Sequence, residues 1–219
     1  MIKAIVFDMD GVIFDTENLF IGCWKSLAEE IQIEDLETVL RKCIGTNEQK
    51  TREIMIAHYG DQFDFDHYRE RVREIFTHTV ETQGMPLKKG VYELLDFLKA
   101  KGYRIGLASS TRVETIRREL RSVGLEDYFE VIIGGNMVTH SKPHPEIYRL
   151  ACEKLGIHPE EAIAIEDSLN GIRSAYDAGL KPIMVPDLIK PTKEIQPLLY
   201  QKFNDLLEVK NFIEEQAFI

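Results

Sequence analysis

The sequence predicts an α/β protein with a doubly wound parallel sheet and an all-helical domain inserted after the first strand. From about residue 84 onward, short β-branched runs alternate with amphipathic stretches, which is typical of parallel strands joined by helical crossovers. Between residues 15 and 83 the apolar residues recur at helical spacing instead. The expected division is a Rossmann-like core of residues 1–14 and 84–219 and a helical domain of residues 15–83.

Five short apolar runs are predicted to be strands. The first lies within residues 2–7, where the run is too short and too β-branched for a helix. The others are Tyr103–Ala108, Val131–Ile133, Ala162–Ile165 and Ile183–Val185.

Helices are predicted wherever apolar residues share one helical face. In the inserted domain these stretches are residues 16–31, 36–43, 54–59 and 68–80. In the core they are residues 91–101, 113–124, 146–156, 171–178 and 206–215, and Gly102 and Gly156 are expected to terminate two of them.

Composition excludes several classes of partner. The 219-residue chain has a net charge of −10 and no basic run, which argues against nucleic acid or an anionic membrane surface. No apolar run approaches the ~18 residues of a membrane span, and no signal peptide is indicated. Three widely separated cysteines predict reduced thiols and a cytoplasmic protein. We expect a monomer or a small homo-oligomer.

Two acidic residues follow the first predicted strand. Asp8 and Asp10 are two positions apart, so strand alternation directs both to one side, and Gly11 permits a sharp turn. The carboxyl ends of parallel strands are where α/β folds bind ligands. Two carboxylates there repel each other unless a cation or proton intervenes, which predicts a metal site, acid–base chemistry or both. The alternative is that an aspartate only caps the next turn.

Polar side chains also follow three later strands. They are Ser109, Ser110 and Thr111 after the second strand, Lys142 in the loop after the third, and Glu166 and Asp167 after the fourth. Carboxylates without paired cysteines or clustered histidines favour a hard cation such as Mg²⁺. The hydroxyls of Ser109 and Ser110 and the Lys142 ammonium suit phosphoryl oxygens, and an aspartate beside them can attack phosphorus. The six histidines show no ligand spacing, so none is assigned to a metal.

These segments resemble the four signature motifs of the haloacid dehalogenase superfamily, in its order and spacing. The matching positions are Asp8-x-Asp10-Gly11, Ser109, Lys142 and Glu166-Asp167-Ser168-x-x-Gly171. The helical insertion resembles the cap domain of the phosphatase and β-phosphoglucomutase-like branch, and the resemblance covers essentially the whole chain.

The resemblance implies a role for each matching residue. Asp8 would be the nucleophile and a Mg²⁺ ligand, and Asp10 would be the general acid and then the base, with its backbone carbonyl on the metal. Asp167, with Glu166 beside it, would hold Mg²⁺. Ser109 would hydrogen-bond the transferring phosphoryl group, and Lys142 would neutralise its charge and that of Asp8.

We therefore expect a Mg²⁺-dependent phosphatase that hydrolyses a small phosphorylated metabolite, a sugar phosphate, through an aspartyl phosphate. The alternative within the family is a β-phosphoglucomutase, which the opening segment through residue 30 resembles closely. The mutase's cap histidine and arginine are missing, since residues 17–20 and 46–48 differ there, and this favours a hydrolase. Glu17, Gly45 and Thr46 lie where cap residues of the family face the active site.

Other classes explain the motifs less well. A dehalogenase generally lacks the second acid of the first motif, and Asp10 is present. A signalling receiver domain also combines aspartates, a hydroxyl and a lysine around Mg²⁺, but it has no helical insertion after its first strand. A P-loop kinase is excluded because the chain has no Gly-x-x-x-x-Gly-Lys-Ser/Thr segment.

Overall fold

The computed structural model describes residues 1–43 and 48–216, which form six strands and nine α-helices. The strands are β1 (Ala4–Phe7), β2 (Arg104–Ser109), β3 (Val131–Gly134), β4 (Ala162–Glu166), β5 (Lys181–Met184) and β6 (Gln201–Lys202). The helices are α1 (Thr16–Glu30), α2 (Leu36–Cys43), α3 (Glu48–Tyr59), α4 (Phe65–Gln83), α5 (Val91–Ala100), α6 (Val113–Ser122), α7 (Glu146–Leu155), α8 (Leu169–Ala178) and α9 (Leu206–Gln216). Within these ranges, every helix is too short or too polar to cross a bilayer.

All six strands form one parallel sheet in the order β3-β2-β1-β4-β5-β6, which confirms the predicted doubly wound fold. Phe7 of β1 is paired with Leu107 of β2 and with Ile165 of β4. The strand order reverses its direction between β1 and β4. In open α/β sheets this switch point, at the carboxyl ends of the strands, is where ligands bind.

Small side chains in the middle of the sheet allow helix α7 to pack closely against it. Gly106 of β2 leaves little space beside it, since a Cβ there would lie 3.0 Å from Cδ1 of Leu155 in α7. The cluster of buried residues around this contact includes Ala4, Val6, Ala108, Ile133, Tyr148, Ala151, Cys152, Leu155, Ala162 and Ala164. Leu155 is the last residue of α7, so this contact sets how closely the end of the helix approaches β2.

The described chain divides into two compact units, Met1–Asp15 with Met85–Ile219 and Thr16–Gly84. In the first unit the two connecting segments run side by side: Asp15 N–H donates to Pro86 O at 2.9 Å, and Lys88 N–H donates to Ile13 O at 2.9 Å. Each predicted boundary differs from these by one residue. That the two units act as catalytic core and cap stays a prediction.

The second unit has its own apolar core. It contains four helices, α1 to α4, in its described residues. The indole of Trp24 stacks on Phe65 with ring centroids 6.4 Å apart. The buried side chains around them are Cys23, Leu27, Ala28, Leu36, Val39, Leu40, Met55, Phe63 and Val72. An apolar core of this size supports the unit without any strand.

Strand β6 was not predicted from the sequence. It has two residues, Gln201 and Lys202, which are exposed and pair with Ile183 and Met184 at the edge of the sheet. Two polar residues show no alternation of apolar side chains, so the sequence pattern does not predict a strand here. The strand forms through backbone pairing with β5. Cys23, Cys43 and Cys152 are free thiols, as expected.

Candidate active site

Three predicted site residues lie at the carboxyl ends of neighbouring strands. Asp8 directly follows β1, Ser109 is the last residue of β2, and Glu166 is the last residue of β4. The Asp8 N–H donates to Ile165 O at 2.9 Å, so the pairing of β1 with β4 extends to the aspartate. All three side chains are buried. The switch point of the sheet therefore collects polar groups that a protein interior accepts only when they are paired.

Lys142 connects two of these strand ends. Its Nζ lies 2.6 Å from Asp8 Oδ1 and 2.6 Å from Glu166 Oε1, and it donates to Ala108 O at 3.0 Å. Its side chain is 7% exposed. Burial alone would lower the pKa of Lys142, but the negative charges of Asp8 and Glu166 raise it, so the ammonium stays protonated.

Glu166 is held at both carboxylate oxygens. Oε1 accepts from Lys142 and, at 2.7 Å, from the hydroxyl of Tyr148. Oε2 accepts from Ser168 Oγ at 3.1 Å and from the backbone N–H of Asp167 at 3.2 Å. Glu166 therefore positions Lys142, and its part in holding a metal stays a prediction.

Tyr148 belongs to the site, although its sequence context gave no sign of this. It lies in α7, its pKa is raised well above 10 by burial and by the charge of Glu166, and its hydroxyl therefore keeps its proton. The Lys142 Nζ lies 5.0 Å from the centre of the tyrosine ring. An aromatic residue at helical spacing predicts packing, and only the three-dimensional contact identifies a partner of Lys142 and Glu166.

The carboxyl groups of Asp8 and Asp167 both have raised pKa values. Burial raises the pKa of both carboxyl groups well above the ordinary value of 3.8, and the charge of Glu166 raises both further. Lys142 lowers both pKa values but does not offset these effects. Crowded buried acids of this kind are a common mark of functional sites, because a cation or a reacting proton is needed to relieve them.

The arrangement fits Mg²⁺. The carboxylate oxygens of three residues lie within 4.8 Å of one another, and these residues are Asp8, Glu166 and Asp167. A fourth acid, Asp187, accepts at Oδ1 from Lys88 at 2.9 Å, while its buried Oδ2 has no hydrogen-bond partner in the described residues. The charge of Asp187 also raises the pKa of Asp167. An all-oxygen donor set with excess negative charge suits a hard divalent cation.

Asp10 lies beyond the strand rather than in it. Strand β1 ends at Phe7, so the alternation used to predict the direction of Asp8 and Asp10 does not apply. A turn brings Asp10 back instead, with the Gly11 N–H donating to Phe14 O at 2.9 Å. The charge of Asp10 raises the pKa of Asp8, as expected for neighbouring carboxylates. The predicted proximity is present, but the turn produces it.

The hydroxyl cluster after β2 faces the same site. Thr111 Oγ1 donates to Asp10 Oδ2 at 3.1 Å, and the Thr111 N–H donates to Ser109 Oγ at 3.0 Å. Ser109 therefore uses its oxygen as an acceptor and keeps its O–H as a donor. Thr111 is a partner of Asp10 that was noted in the sequence but not assigned.

Two glycines are required because carboxylates occupy the space beside them. Gly11 has a φ of +79°, and a Cβ there would overlap the carboxylate of Asp167. A Cβ on Gly171 would overlap the carboxylate of Glu166. Both glycines therefore let an acid of the site lie directly against backbone.

We expect Gly171→Ala to lower the free energy of unfolding by about 2 kcal/mol or more, because overpacking displaces the hydrogen-bonded Glu166. Gly22→Ala in α1 is the matched control, since a Cβ there meets nothing within 4 Å and should be tolerated or stabilise by about 1 kcal/mol. Chemical denaturation of both variants measures this. Equal stability of the two would show that Glu166 is not confined as described.

Four further residues were predicted for the site: Ser110, Glu17, Gly45 and Thr46. The Ser110 side chain is exposed, and no hydrogen bond to it is found in the described residues. Glu17 is an exposed residue in the first turn of α1. Gly45 and Thr46 lie outside the described residues. The roles predicted for these four residues stay predictions.

A doubly wound sheet with buried acids and a lysine at its switch point defines an α/β enzyme suited to an anionic substrate. The chain belongs to the haloacid dehalogenase-like hydrolase family, whose family model matches residues 5–185. The resemblance noted in the motifs is thereby confirmed.

Three similar proteins illustrate the family. The phosphorylated carbohydrates phosphatase of Thermotoga maritima is 34% identical over 181 residues, which is 83% of each chain. The structure of a Thermotoga maritima protein provisionally named a beta-phosphoglucomutase has a TM-score of 0.82 and 30% identity, covering 98% of this chain and 99% of that one. A variant of CbbY from Rhodobacter sphaeroides in complex with xylulose 1,5-bisphosphate has a TM-score of 0.69 and 28% identity, covering 95% and 96%.

Proposed function

We propose that this chain is a Mg²⁺-dependent phosphatase that hydrolyses a small sugar phosphate through an aspartyl phosphate on Asp8. The observation that carries the proposal is the buried ammonium of Lys142, 2.6 Å from both Asp8 Oδ1 and Glu166 Oε1. This ion pair favours the ionised form of Asp8 and orients its carboxylate at the switch point of the sheet. A carboxylate held in this way is a nucleophile for phosphorus, and the same ammonium can neutralise a phosphoryl oxygen.

Asp8, Asp167 and the backbone carbonyl of Asp10 would hold Mg²⁺, with Glu166 beside them. When bound, the ion would supply charge neutralisation for the carboxylates and the phosphoryl oxygens. The support for this assignment is the excess of buried acids at the site.

In the first half-reaction, a carboxylate oxygen of Asp8 forms a bond to phosphorus as the ester P–O bond breaks. Asp10 donates its proton to the leaving alkoxide, and the alcohol departs. Thr111 donates a hydrogen bond to Asp10 at 3.1 Å and so holds its carboxyl group in place. Ser109 O–H and the Lys142 ammonium would hold phosphoryl oxygens during this transfer.

In the second half-reaction, Asp10 takes a proton from a water molecule. The water oxygen forms the new bond to phosphorus, and the bond between phosphorus and Asp8 breaks. Inorganic phosphate and the carboxylate of Asp8 are released. Asp10 is then protonated again, ready for the next substrate.

The substrate class is inferred from relatives. One is named a phosphorylated carbohydrates phosphatase, and the CbbY structure contains a sugar bisphosphate. The net charge of −10 means that an anionic substrate needs local positive charge, and Lys142 provides it within the site.

We expect chelation to abolish phosphate release and added Mg²⁺ to restore it, because the acids of the site repel one another and the phosphoryl group without a cation. Asp167→Asn should raise the Mg²⁺ concentration needed for half-maximal activity by about tenfold or more, since a ligand is lost. Phosphate release before and after EDTA, and along a Mg²⁺ titration, measures both. Unchanged rates after exhaustive chelation would rule out a metal-dependent mechanism.

The second candidate is a β-phosphoglucomutase, favoured by the provisional name of the structural relative with the TM-score of 0.82. Both enzymes would form the same phosphoenzyme, but a mutase passes its phosphoryl group to a second sugar hydroxyl. Residues 17–20 contain no histidine of the kind the mutase carries there. We therefore expect a panel of sugar monophosphates to release free phosphate.

One assay decides between the two enzymes. β-Glucose 1-phosphate is supplied with catalytic glucose 1,6-bisphosphate, and both glucose 6-phosphate and free phosphate are followed. Phosphate release from the preferred sugar phosphates of the panel should exceed isomerisation. Isomerisation that outpaces phosphate release would identify the chain as a mutase.

A further inference from the structure

A second group of metal-type ligands lies outside the candidate active site, in the loop that carries Lys142. Potential ligand atoms of His140, His144 and Glu146 lie within 4.8 Å of one another. The Nδ1 atoms of the two imidazoles are 2.9 Å and 3.8 Å from Glu146 Oε2, and the ring centroids are 4.5 Å apart. Both histidine side chains are about half exposed or more, so ions in solution can reach them.

The carboxylate of this group is already held in place. Glu146 Oε1 accepts from the Thr139 N–H and Oε2 accepts from the His140 N–H, each at 2.9 Å. Backbone donors therefore fix the direction of both oxygens of the Glu146 carboxylate. Metal-binding carboxylates are usually oriented by such outer hydrogen bonds.

The donor distances suit a small transition-metal ion. With metal–nitrogen and metal–oxygen bonds of about 2.0–2.2 Å, neighbouring ligands of a tetrahedral ion lie about 3.3 Å apart. The two measured nitrogen–oxygen distances, 2.9 Å and 3.8 Å, lie on either side of this value. The shorter one is a hydrogen bond between the His140 ring and Glu146, and the Glu146 N–H donates to His144 Nδ1 at 3.3 Å, so a bound ion would replace these two hydrogen bonds. Two imidazoles with one carboxylate favour Zn²⁺ or Cu²⁺ over Mg²⁺, which prefers oxygen.

We propose that His140, His144 and Glu146 form a binding site for a divalent transition-metal ion such as Zn²⁺ or Cu²⁺, separate from the proposed Mg²⁺ site. The histidines line an open depression of about 580 Å³, which leaves room for water at the remaining coordination position. Arg173 and Asp177 of α8 also line it and contribute opposite charges.

The proposed metal site spans the loop that carries Lys142. Its ligands come from both sides of Lys142: His140 precedes the lysine by two residues, and Glu146 begins α7 after it. A bound ion would therefore link the segment before Lys142 to the helix that contains Tyr148. The spacing of these ligands matches no helical pattern, because the proline-containing loop brings them together.

Electron paramagnetic resonance with Cu²⁺ tests this proposal on the untagged full-length chain. Excess Mg²⁺ is present, and Cu²⁺ is added below one equivalent, so that the tightest site is filled first. We expect hyperfine coupling to imidazole nitrogens, which the all-oxygen donors at Asp8, Glu166 and Asp167 cannot produce. The double variant H140Q/H144Q should lose this coupling and bind Cu²⁺ at least about tenfold more weakly.

His58→Gln, an exposed histidine in α3, is the matched control and should keep both the coupling and the affinity. Mg²⁺-supported phosphate release should be unchanged in H140Q/H144Q, which separates this site from the proposed catalytic one. Oxygen-only ligation in the wild-type chain would overturn the proposal. So would nitrogen coupling that survives in the double variant.

Discussion

Asp8→Asn is expected to lower kcat for phosphate release by on the order of 10⁴-fold or more while the chain stays folded, because the amide cannot attack phosphorus. Stability should be preserved. Burial, and then the charges of Glu166 and Asp10, raise the pKa of Asp8 in the folded state, so its ionised form is the less stable one there. A neutral amide of the same shape removes the cost of burying that charge. In the absence of metal we therefore expect the Tm to equal or exceed that of the wild-type chain.

The control is Asp127→Asn, an exposed aspartate in the same unit, which should leave kcat and Tm unchanged. Steady-state kinetics and thermal unfolding of both variants separate chemistry from folding. A folded Asp8→Asn variant with near-wild-type turnover would exclude Asp8 as the nucleophile.

Lys142→Met is expected to damage both activity and stability. Removing the ammonium leaves Asp8 and Glu166 without their buried cation, and breaking such a pair costs about 3 kcal/mol or more. The loss of charge compensation for the phosphoryl group should lower kcat by about 10²-fold to 10³-fold. No other lysine or arginine contacts the Asp8 carboxylate among the described residues.

The instability should depend on pH in a defined direction. Without Lys142 the folded-state pKa of Asp8 rises further above its ordinary value of 3.8. A group with a raised folded-state pKa contributes its stability at low pH and loses it as the pH rises. Asp8 in the wild-type chain has a folded-state pKa of about 7, so below that pH the carboxyl group is protonated in both folded chains. The deficit of Lys142→Met relative to the wild-type chain should therefore grow as the pH rises above about 7, where only the wild-type Asp8 ionises.

The double variant Lys142→Met/Glu166→Gln should regain part of the stability but none of the activity, since it removes one uncompensated buried charge. Denaturation curves along a pH series, with kcat at each pH, measure this. Stability and kcat of Lys142→Met close to those of the wild-type chain would contradict the proposed role of the ion pair.

The sequence predicts the acids of the site well because parallel strands end at one edge of a sheet. Asp8 and Glu166 each adjoin an apolar strand, so locating β1 and β4 locates both carboxylates. Gly11 and Gly171 also help to locate the site in the sequence, because a glycine is needed where a carboxylate lies against the backbone. These constraints are local, and a single sequence displays them.

Contacts made across the fold are not visible in the same way. Tyr148 contacts Glu166 because α7 packs closely on β2, and its helical spacing alone indicates only a buried side. Strand alternation predicted that Asp10 lies on the same side as Asp8. The two residues are close, but a turn after β1 brings Asp10 there and not an extended strand. The exposed pair in β6 is a strand only because β5 lies beside it. Each of these depends on tertiary packing and not on local pattern.

The measurement that tests the central claim most directly is the capture of the phosphoenzyme. Enzyme in excess is mixed with Mg²⁺ and a radiolabelled sugar phosphate, quenched with acid within one turnover, digested, and sequenced by mass spectrometry. The proposed mechanism predicts label on Asp8 that hydroxylamine releases, and no label in Asp8→Asn. Turnover with no labelled Asp8, or with the label on another residue, would contradict it.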